Sequence, residues 1–250
     1  MQKPAQIRAI AKTAPYQPRR VIFAALATIT LLTTLLWSQG VRAADNAVNI
    51  NEDPAVQQEV ADFIQNLADK ALTTLNQKEY TLMDQENRFR EILLEGFNVS
   101  YIGKISLGRH RKEATSQQLN SYFTLFPDYL VKIYTSRLTK LDTREVQVKT
   151  VLPNGKRDMY VRTKVIDGEQ KSYDVDWRVR PEKEKAGYKI IDVKIEGISM
   201  ARTQRDDFTS RISASGITGL MAYMQAIVEG RIAVPEDDKV TTPSPEKEAF

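Results

Sequence analysis

The sequence contains no cysteine and a single histidine, His110. Without cysteine there are no disulfides, thiol nucleophiles or thiolate metal centres, so a packed core must hold the fold. A lone histidine has no His or Cys partners with which to build an ordinary structural zinc site. The chain has no G-x-x-x-x-G-K-[ST], no G-x-G-x-x-G and no G-x-S-x-G. The phosphate-cradling loop, the dinucleotide turn and the nucleophile elbow are therefore missing. Gly103 and Gly108 are too isolated to cradle a phosphate. Aromatic residues make up only 8% of the chain and lack the basic interleaving of nucleic-acid surfaces, so no nucleic-acid partner is expected. Long apolar runs are also scarce, and the one exception is at the start.

That exception is Val21 to Trp37, preceded by Lys3, Arg8, Lys12, Arg19 and Arg20 and followed by Val41-Arg42-Ala43. A basic leader, a short apolar run and small residues at −3 and −1 describe a secretory signal peptide over residues 1–43, cleaved after Ala43. An uncleaved anchor is the alternative, although the run is short for a bilayer span. The whole chain carries 36 basic and 32 acidic residues, but residues 1–43 hold six basic and no acidic ones. Cleavage leaves 30 against 32, so the mature protein is slightly acidic and the high pI belongs to the leader.

The remainder reads as one domain over residues 53–230, with a flexible lead-in at 44–52 and a Pro- and charge-rich disordered tail at 231–250. Asp53-Pro54 starts a helix whose apolar stripe runs Val56, Val60, Phe63, Ile64, Leu67, Ala71, Leu72 and Leu75. Further helices are expected over 82–94, stopping at Gly96, and over 97–107, closed by Gly108. Thr115 and Gln118 have capping-box spacing before a helix that Pro127 should break or kink. The period then changes to two. Val146, Val148 and Thr150, then Met159, Val161, Thr163 and Val165, then Tyr173, Val175, Trp177 and Val179, then Ile191, Val193 and Ile195 mark four strands joined by short turns. Two closing helices follow, one from Ser199 and one after Ser215-Gly216. The fold class is α+β: a four-stranded antiparallel meander covered by N-terminal and C-terminal helices.

Few residues suggest reaction chemistry. Asp192 and Glu196 share one strand face about 13 Å apart at ~3.3 Å per residue, wider than a glycosidase carboxylate pair. Lys194 lies between them, so a solvated strand face is expected. His110 sits among Arg109, Arg111 and Lys112, which reads as a basic surface cluster. Arg109 and Arg111 could alternatively face an anionic head group or an acidic partner. The apolar stripes of sheet and helices fit either a solid core or the wall of a cavity.

Several segments resemble the MlaC family, the toluene-tolerance or auxiliary transport-substrate-binding proteins. These are Phe97-Asn98-Val99-Ser100-Tyr101-Ile102 with Leu107-Gly108, and Tyr122 to Leu138. The fullest match is Ile191-Asp192-Val193-Lys194-Ile195-Glu196-Gly197-Ile198-Ser199, followed by Arg205 and Phe208, with Gly216, Gly219 and Leu220 beyond. Arg109-His110-Arg111 departs from the family pattern, which often has an aromatic there. The resemblance spans roughly residues 55–228 and implies a non-enzymatic, monomeric periplasmic carrier of phospholipid, without a cofactor. Acyl tails would lie between sheet and helices, against Val99, Ile102, Phe123, Phe126, Leu130, Tyr134, Val148, Val161, Val175, Trp177, Val193, Ile195, Phe208 and Ile212. Arg109, Arg111 and Arg205 would meet the head group or a partner. Implied partners are an inner-membrane ABC transporter with an MCE-domain subunit and an outer-membrane lipoprotein-porin complex, in a system that maintains outer-membrane lipid asymmetry. A hopanoid-associated branch is the close variant. A small-molecule enzyme on a cone-shaped α+β fold is the rival from another class.

Overall fold

The computed structural model describes residues 52–235 apart from 76, 78, 140–141 and 184–185. The expected leader, nearly all of the lead-in and the tail beyond 235 lie outside the described residues.

Helix α1 spans Pro54–Leu75. It starts as the sequence indicates, with the Ala55 N–H donating to Asp53 Oδ1 at 2.9 Å. Helix α2, Leu82–Gly96, opens on a reciprocal capping box between Thr81 and Asp84. Helix α3 is Val99–Leu107, capped by the Asn98 side chain. Phe97, expected inside that helix, instead forms a parallel bridge to Ile190, because capping by Asn98 delays the helix start. A 3-10 turn, Gly108–Lys112, leads to helix α4, Ser116–Leu138, with the Thr115–Gln118 capping box in place.

Pro127 lies inside α4 without ending it, contrary to the break its ring suggests. It removes one bond, to the Phe123 carbonyl, at a cost of about 3 kcal/mol. Burying Tyr122, Phe126, Tyr129, Leu130 and Ile133 on the same helix offsets more than that, at roughly 1.5–3 kcal/mol per large apolar side chain.

The sheet runs β1 (Thr143–Asn154), β2 (Asp158–Asp167), β3 (Ser172–Pro181), β4 (Tyr188–Ile195) and β5 (Ile198–Ser199), antiparallel and in sequence order. The four expected strands are present, and the fifth is too short to give a period-two signal. Besides a register shift between Thr143 and Glu145 at the start of β1, two bulges reset the alternation. On β1, Val148 pairs with Thr163 and Thr150 with Arg162, leaving Lys149 extra. Thr150 is therefore exposed and Val151 takes the inward phase, correcting the strict alternation through Thr150. On β4, Ile190 pairs with Val179 and Asp192 with Arg178, leaving Ile191 extra, so Ile190, Ile191 and Asp192 are all buried.

Helix α5, Met200–Val228, leaves helical geometry only at Gly216, at φ 69° and ψ 177°, the place expected to divide two closing helices. That backbone region is close to glycine-only.

The apolar interior divides into two clusters. A helical one contains Phe89, Leu93, Val99, Tyr122, Phe126, Phe208, Ile212 and Leu220, and a sheet-side one joins Val60, Ile64 and Leu67 of α1 to Met159, Val161, Val179 and Ile190. Val234, within the segment expected as tail, is half-buried against the helical cluster. Beside the sheet cluster lies Asp158, only 3% exposed, which accepts from Arg178 Nε at 2.9 Å and Arg180 Nε at 2.6 Å. Burial pushes its carboxyl pKa up, but the Arg180 and Arg178 hydrogen bonds and charges together hold it below the ordinary carboxylate value.

Candidate ligand cavity

Between the two clusters lies a cavity of about 580 Å³. Protein interiors contain few voids larger than one water, whose share of liquid volume is about 30 Å³, so this space is not a packing fault. One wall is the inward stripe of α1, with Ile64, Leu67, Ala68, Ala71 and Leu72 at steps of three and four. Helix α2 adds Phe89, Ile92 and Leu93, and Phe97 fills the corner beyond it. Ile102 and Ser106 from α3, Leu130, Tyr134 and Leu138 from α4, and Met200, Ala201 and Gln204 from α5 complete the helical side.

The sheet contributes cross-strand pairs. Val175 faces Ile195 and Trp177 faces Val193 across β3 and β4, while Val165 faces Tyr173 across β2 and β3, and all six line the cavity. The indole of Trp177 is oriented by its N–H, which donates to Thr163 Oγ1 at 3.0 Å, and Thr163 in turn donates to the Val175 carbonyl at 3.1 Å. Its polar atom is thereby satisfied on the protein side.

The exposed lining residues are Asp142, Gly168 and Glu169, which stand with Thr143 and Asp167 at one end of the sheet and form a rim. Asp142 pairs with Arg144 at 2.8 Å, and Lys171 pairs with Glu169 at 2.6 Å. The hydrogen bond and charge of Glu169 raise the Lys171 pKa. Tyr173 donates to Asp167 Oδ2 at 3.2 Å, and partial burial together with that bond raises its hydroxyl pKa. The rim thus offers both signs of charge, although every charged residue in the lining itself, Asp142, Asp167, Glu169 and Asp192, is acidic.

Of the fourteen side chains the resemblance put against the tails, Ile102, Leu130, Tyr134, Val175, Trp177, Val193 and Ile195 line this cavity. The other seven stand elsewhere. Val99, Phe126, Phe208 and Ile212 are buried in the helical cluster and Phe123 packs on it, because α3, α4 and α5 pack against one another as well as against the sheet. Val161 is fully buried under α1, and Val148 packs beside it next to the β1 bulge. The α1 and α2 wall was missing from that list. Its helical stripe is plain in the sequence, but a stripe does not reveal whether it meets solid core or open space.

Arg109 and Arg111 are exposed on the 3-10 turn, and Arg205 lays its aliphatic stem beside Gly108. These three arginines gather on the surface, outside the cavity lining. His110 differs from the expected surface cluster: it is 6% exposed, with Nδ1 at 2.6 Å from Glu113 Oε2, since the turn directs its ring inward. It does not line the cavity. Asp192, expected on a solvated face, is buried by the β4 bulge and caps the entry to α5. It accepts the Ser199 hydroxyl at 2.6 Å and the Ala201 N–H at 3.2 Å. Glu196 stays exposed and accepts the Asp174 N–H at 2.6 Å. Among the described residues no group of three or more His, Cys, Asp or Glu could hold a metal ion.

Hydrocarbon walls, a charged rim and carboxylates already engaged by backbone and hydroxyl donors define a binding protein for an apolar ligand. The chain belongs to the MlaC protein family, whose profile matches residues 65–226. It is 22% identical over 169 residues to the intermembrane phospholipid transport system binding protein MlaC of Haemophilus influenzae, across 65% of this chain and 79% of that one. Its fold matches the phospholipid-binding protein of Ralstonia solanacearum, solved in complex with a phospholipid. That match has a TM-score of 0.59 at 20% identity, over 69% of this chain and 98% of that one.

Proposed function

We propose that the protein is a non-enzymatic phospholipid carrier of an intermembrane transport system, holding acyl tails in the cavity between sheet and helices. The observation that carries this reading is the cavity of about 580 Å³, apolar on both walls and charged at its rim. Family membership and the phospholipid-binding fold relative support it. Two acyl chains of ~16 carbons, at ~0.8 kcal/mol per CH₂, face about 25 kcal/mol on entering water. A barrier of that size permits unassisted escape from a membrane only about once in days. A cavity that covers the tails throughout transfer removes the barrier and needs no acid, base, metal or nucleophile.

In this reading the mature chain works in the periplasm as a monomer after removal of residues 1–43. It exchanges lipid with an inner-membrane ABC transporter bearing an MCE-domain subunit and with an outer-membrane lipoprotein-porin complex, and so maintains outer-membrane lipid asymmetry. The head group rests at the Asp142–Glu169 rim, and the Arg109, Arg111 and Arg205 patch meets a partner. No described helix is long and apolar enough to cross a membrane. The test is uptake by delipidated protein of labelled phosphatidylethanolamine from vesicles, followed by gel filtration. Label should co-elute with protein. Label that stays entirely with the vesicles would overturn the proposal.

A further inference from the structure

A second concavity lies at the opposite end of the sheet from the cavity rim. It is a cleft of about 440 Å³ lined by Arg157, Arg180, Lys183 and Lys189, with Glu182 its single acidic residue. None of these residues lines the ligand cavity. Strand β2 sets the separation. Arg157 directly precedes β2, which runs from Asp158 to Asp167 at the rim. The nine steps between those two ends, at ~3.3 Å each, put the cleft about 30 Å along the sheet from the rim. A lipid head group at Asp142 and Glu169 therefore does not reach it.

Two of the four cations are fixed. Arg180 and Lys189 face each other across β3 and β4, and like charges directly opposite one another are unfavourable. Arg180 Nε and Nη2 donate to Asp158 at 2.6 and 3.0 Å, and its guanidinium lies over the Tyr101 ring at 4.7 Å. Asp158 also accepts from Arg178 Nε at 2.9 Å, so its one charge is shared between two guanidiniums. Lys189 Nζ donates to the Leu94 and Glu95 carbonyls at the end of α2, at 3.1 and 2.5 Å, which leaves it one further donor. The other two cations are free. Arg157 and Lys183 are exposed, and neither has a hydrogen-bond or ion-pair partner among the described residues.

The cleft is thus an uncompensated positive site. It stands on a chain whose mature form holds 30 basic against 32 acidic residues, so overall charge does not account for it. Its volume is roughly fifteen times the ~30 Å³ share of one water, more room than a lone ion fills. Its concave shape admits side chains that project from a strand or loop, whereas a flat membrane surface would rest on its edges.

We propose that this cleft docks an acidic segment of a partner protein, with successive carboxylates meeting Arg157, Lys183 and the fixed pair of Arg180 and Lys189. The docking is independent of what the cavity holds, and no covalent step is involved.

The test titrates purified mature protein into a fluorescein-labelled hexaglutamate peptide at low salt and follows fluorescence anisotropy. Binding should be saturable, and the double variant Arg157→Gln/Lys183→Gln should weaken it about tenfold. The melting temperature and bound lipid of that variant should match the parent, since both side chains are exposed and unpaired. Lys149→Gln/Arg202→Gln removes the same charge from exposed positions outside the cleft and should bind peptide as the parent does. Absence of saturable binding in the parent, unchanged binding in Arg157→Gln/Lys183→Gln, or equal weakening in both double variants overturns the proposal. Displacement of the peptide by an equal concentration of inorganic phosphate would make the cleft a phosphate site. Flotation with phosphatidylglycerol vesicles that depends on Arg157 and Lys183, without peptide binding, would make it a membrane contact. Either result overturns the protein partner and leaves the carrier reading intact.

Discussion

Val161, Val175 and Val193 share one face of the sheet and stand in different physical situations. Val161 is fully buried in the sheet cluster, while Val175 and Val193 border open volume. Replacing each with tryptophan separates the two. In a filled core the larger ring costs about 1–3 kcal/mol or more. Val161→Trp should therefore lower the melting temperature markedly. Val175→Trp and Val193→Trp should leave the lipid-free melting temperature nearly unchanged and reduce bound lipid at least severalfold, because the ring takes volume the tail would fill. Equal destabilisation in all three would mean that the cavity does not persist in solution. At Asp158 the pH dependence has a definite sign. Its native carboxyl pKa is lowered, so it contributes stability above the unfolded value of about 3.9, and that contribution is lost as pH falls through the lower native value. Asp158→Asn leaves Arg178 and Arg180 without their anion and should cost about 3 kcal/mol at neutral pH. It should also flatten the acid limb of a stability-against-pH curve measured by urea unfolding. An unchanged acid limb would mean that Asp158 does not set it.

At the scale of elements, helix starts and the meander were legible because their causes are local. Asp53-Pro54, Thr115 with Gln118, and the alternation through Tyr173, Val175, Trp177 and Val179 act within a few residues. Three features were hidden. The β4 bulge at Ile191 inverts the face of Asp192, and nothing in a period-two pattern marks an inserted residue. Helix α4 passes through Pro127 because tertiary burial outweighs one lost hydrogen bond. Half of the candidate tail contacts lie outside the cavity lining, because an apolar helix face looks the same whether it meets solid core or a cavity. Gly216 offers a test at this scale. A Cβ there would meet nothing within 4 Å, so any cost of substitution is backbone strain alone. Gly216→Ala should destabilise by about 1–3 kcal/mol in chemical denaturation. No loss would mean that α5 straightens through this point.

At the scale of the whole described domain, the sheet forms one wall of the cavity and helices α1–α5 form the other. The exposed residues of its lining, Asp142, Gly168 and Glu169, stand at one end of the sheet. That arrangement suits a carrier, since apolar walls grip a ligand by non-directional contacts. The leader belongs to this scale as well: if residues 1–43 export the chain, N-terminal sequencing of the exported protein should begin at or near Ala44. Retention of residues 21–37 in the membrane fraction would contradict cleavage. The central claim is that the cavity holds a lipid, and it is tested most directly by weighing the purified mature protein. Native mass spectrometry should show a mass increment of one phospholipid, removed when the same sample is denatured in organic solvent and recovered as lipid in the extract. A native mass equal to that of the bare polypeptide, with no phospholipid in the extract and no uptake after incubation with phospholipid, would contradict the account.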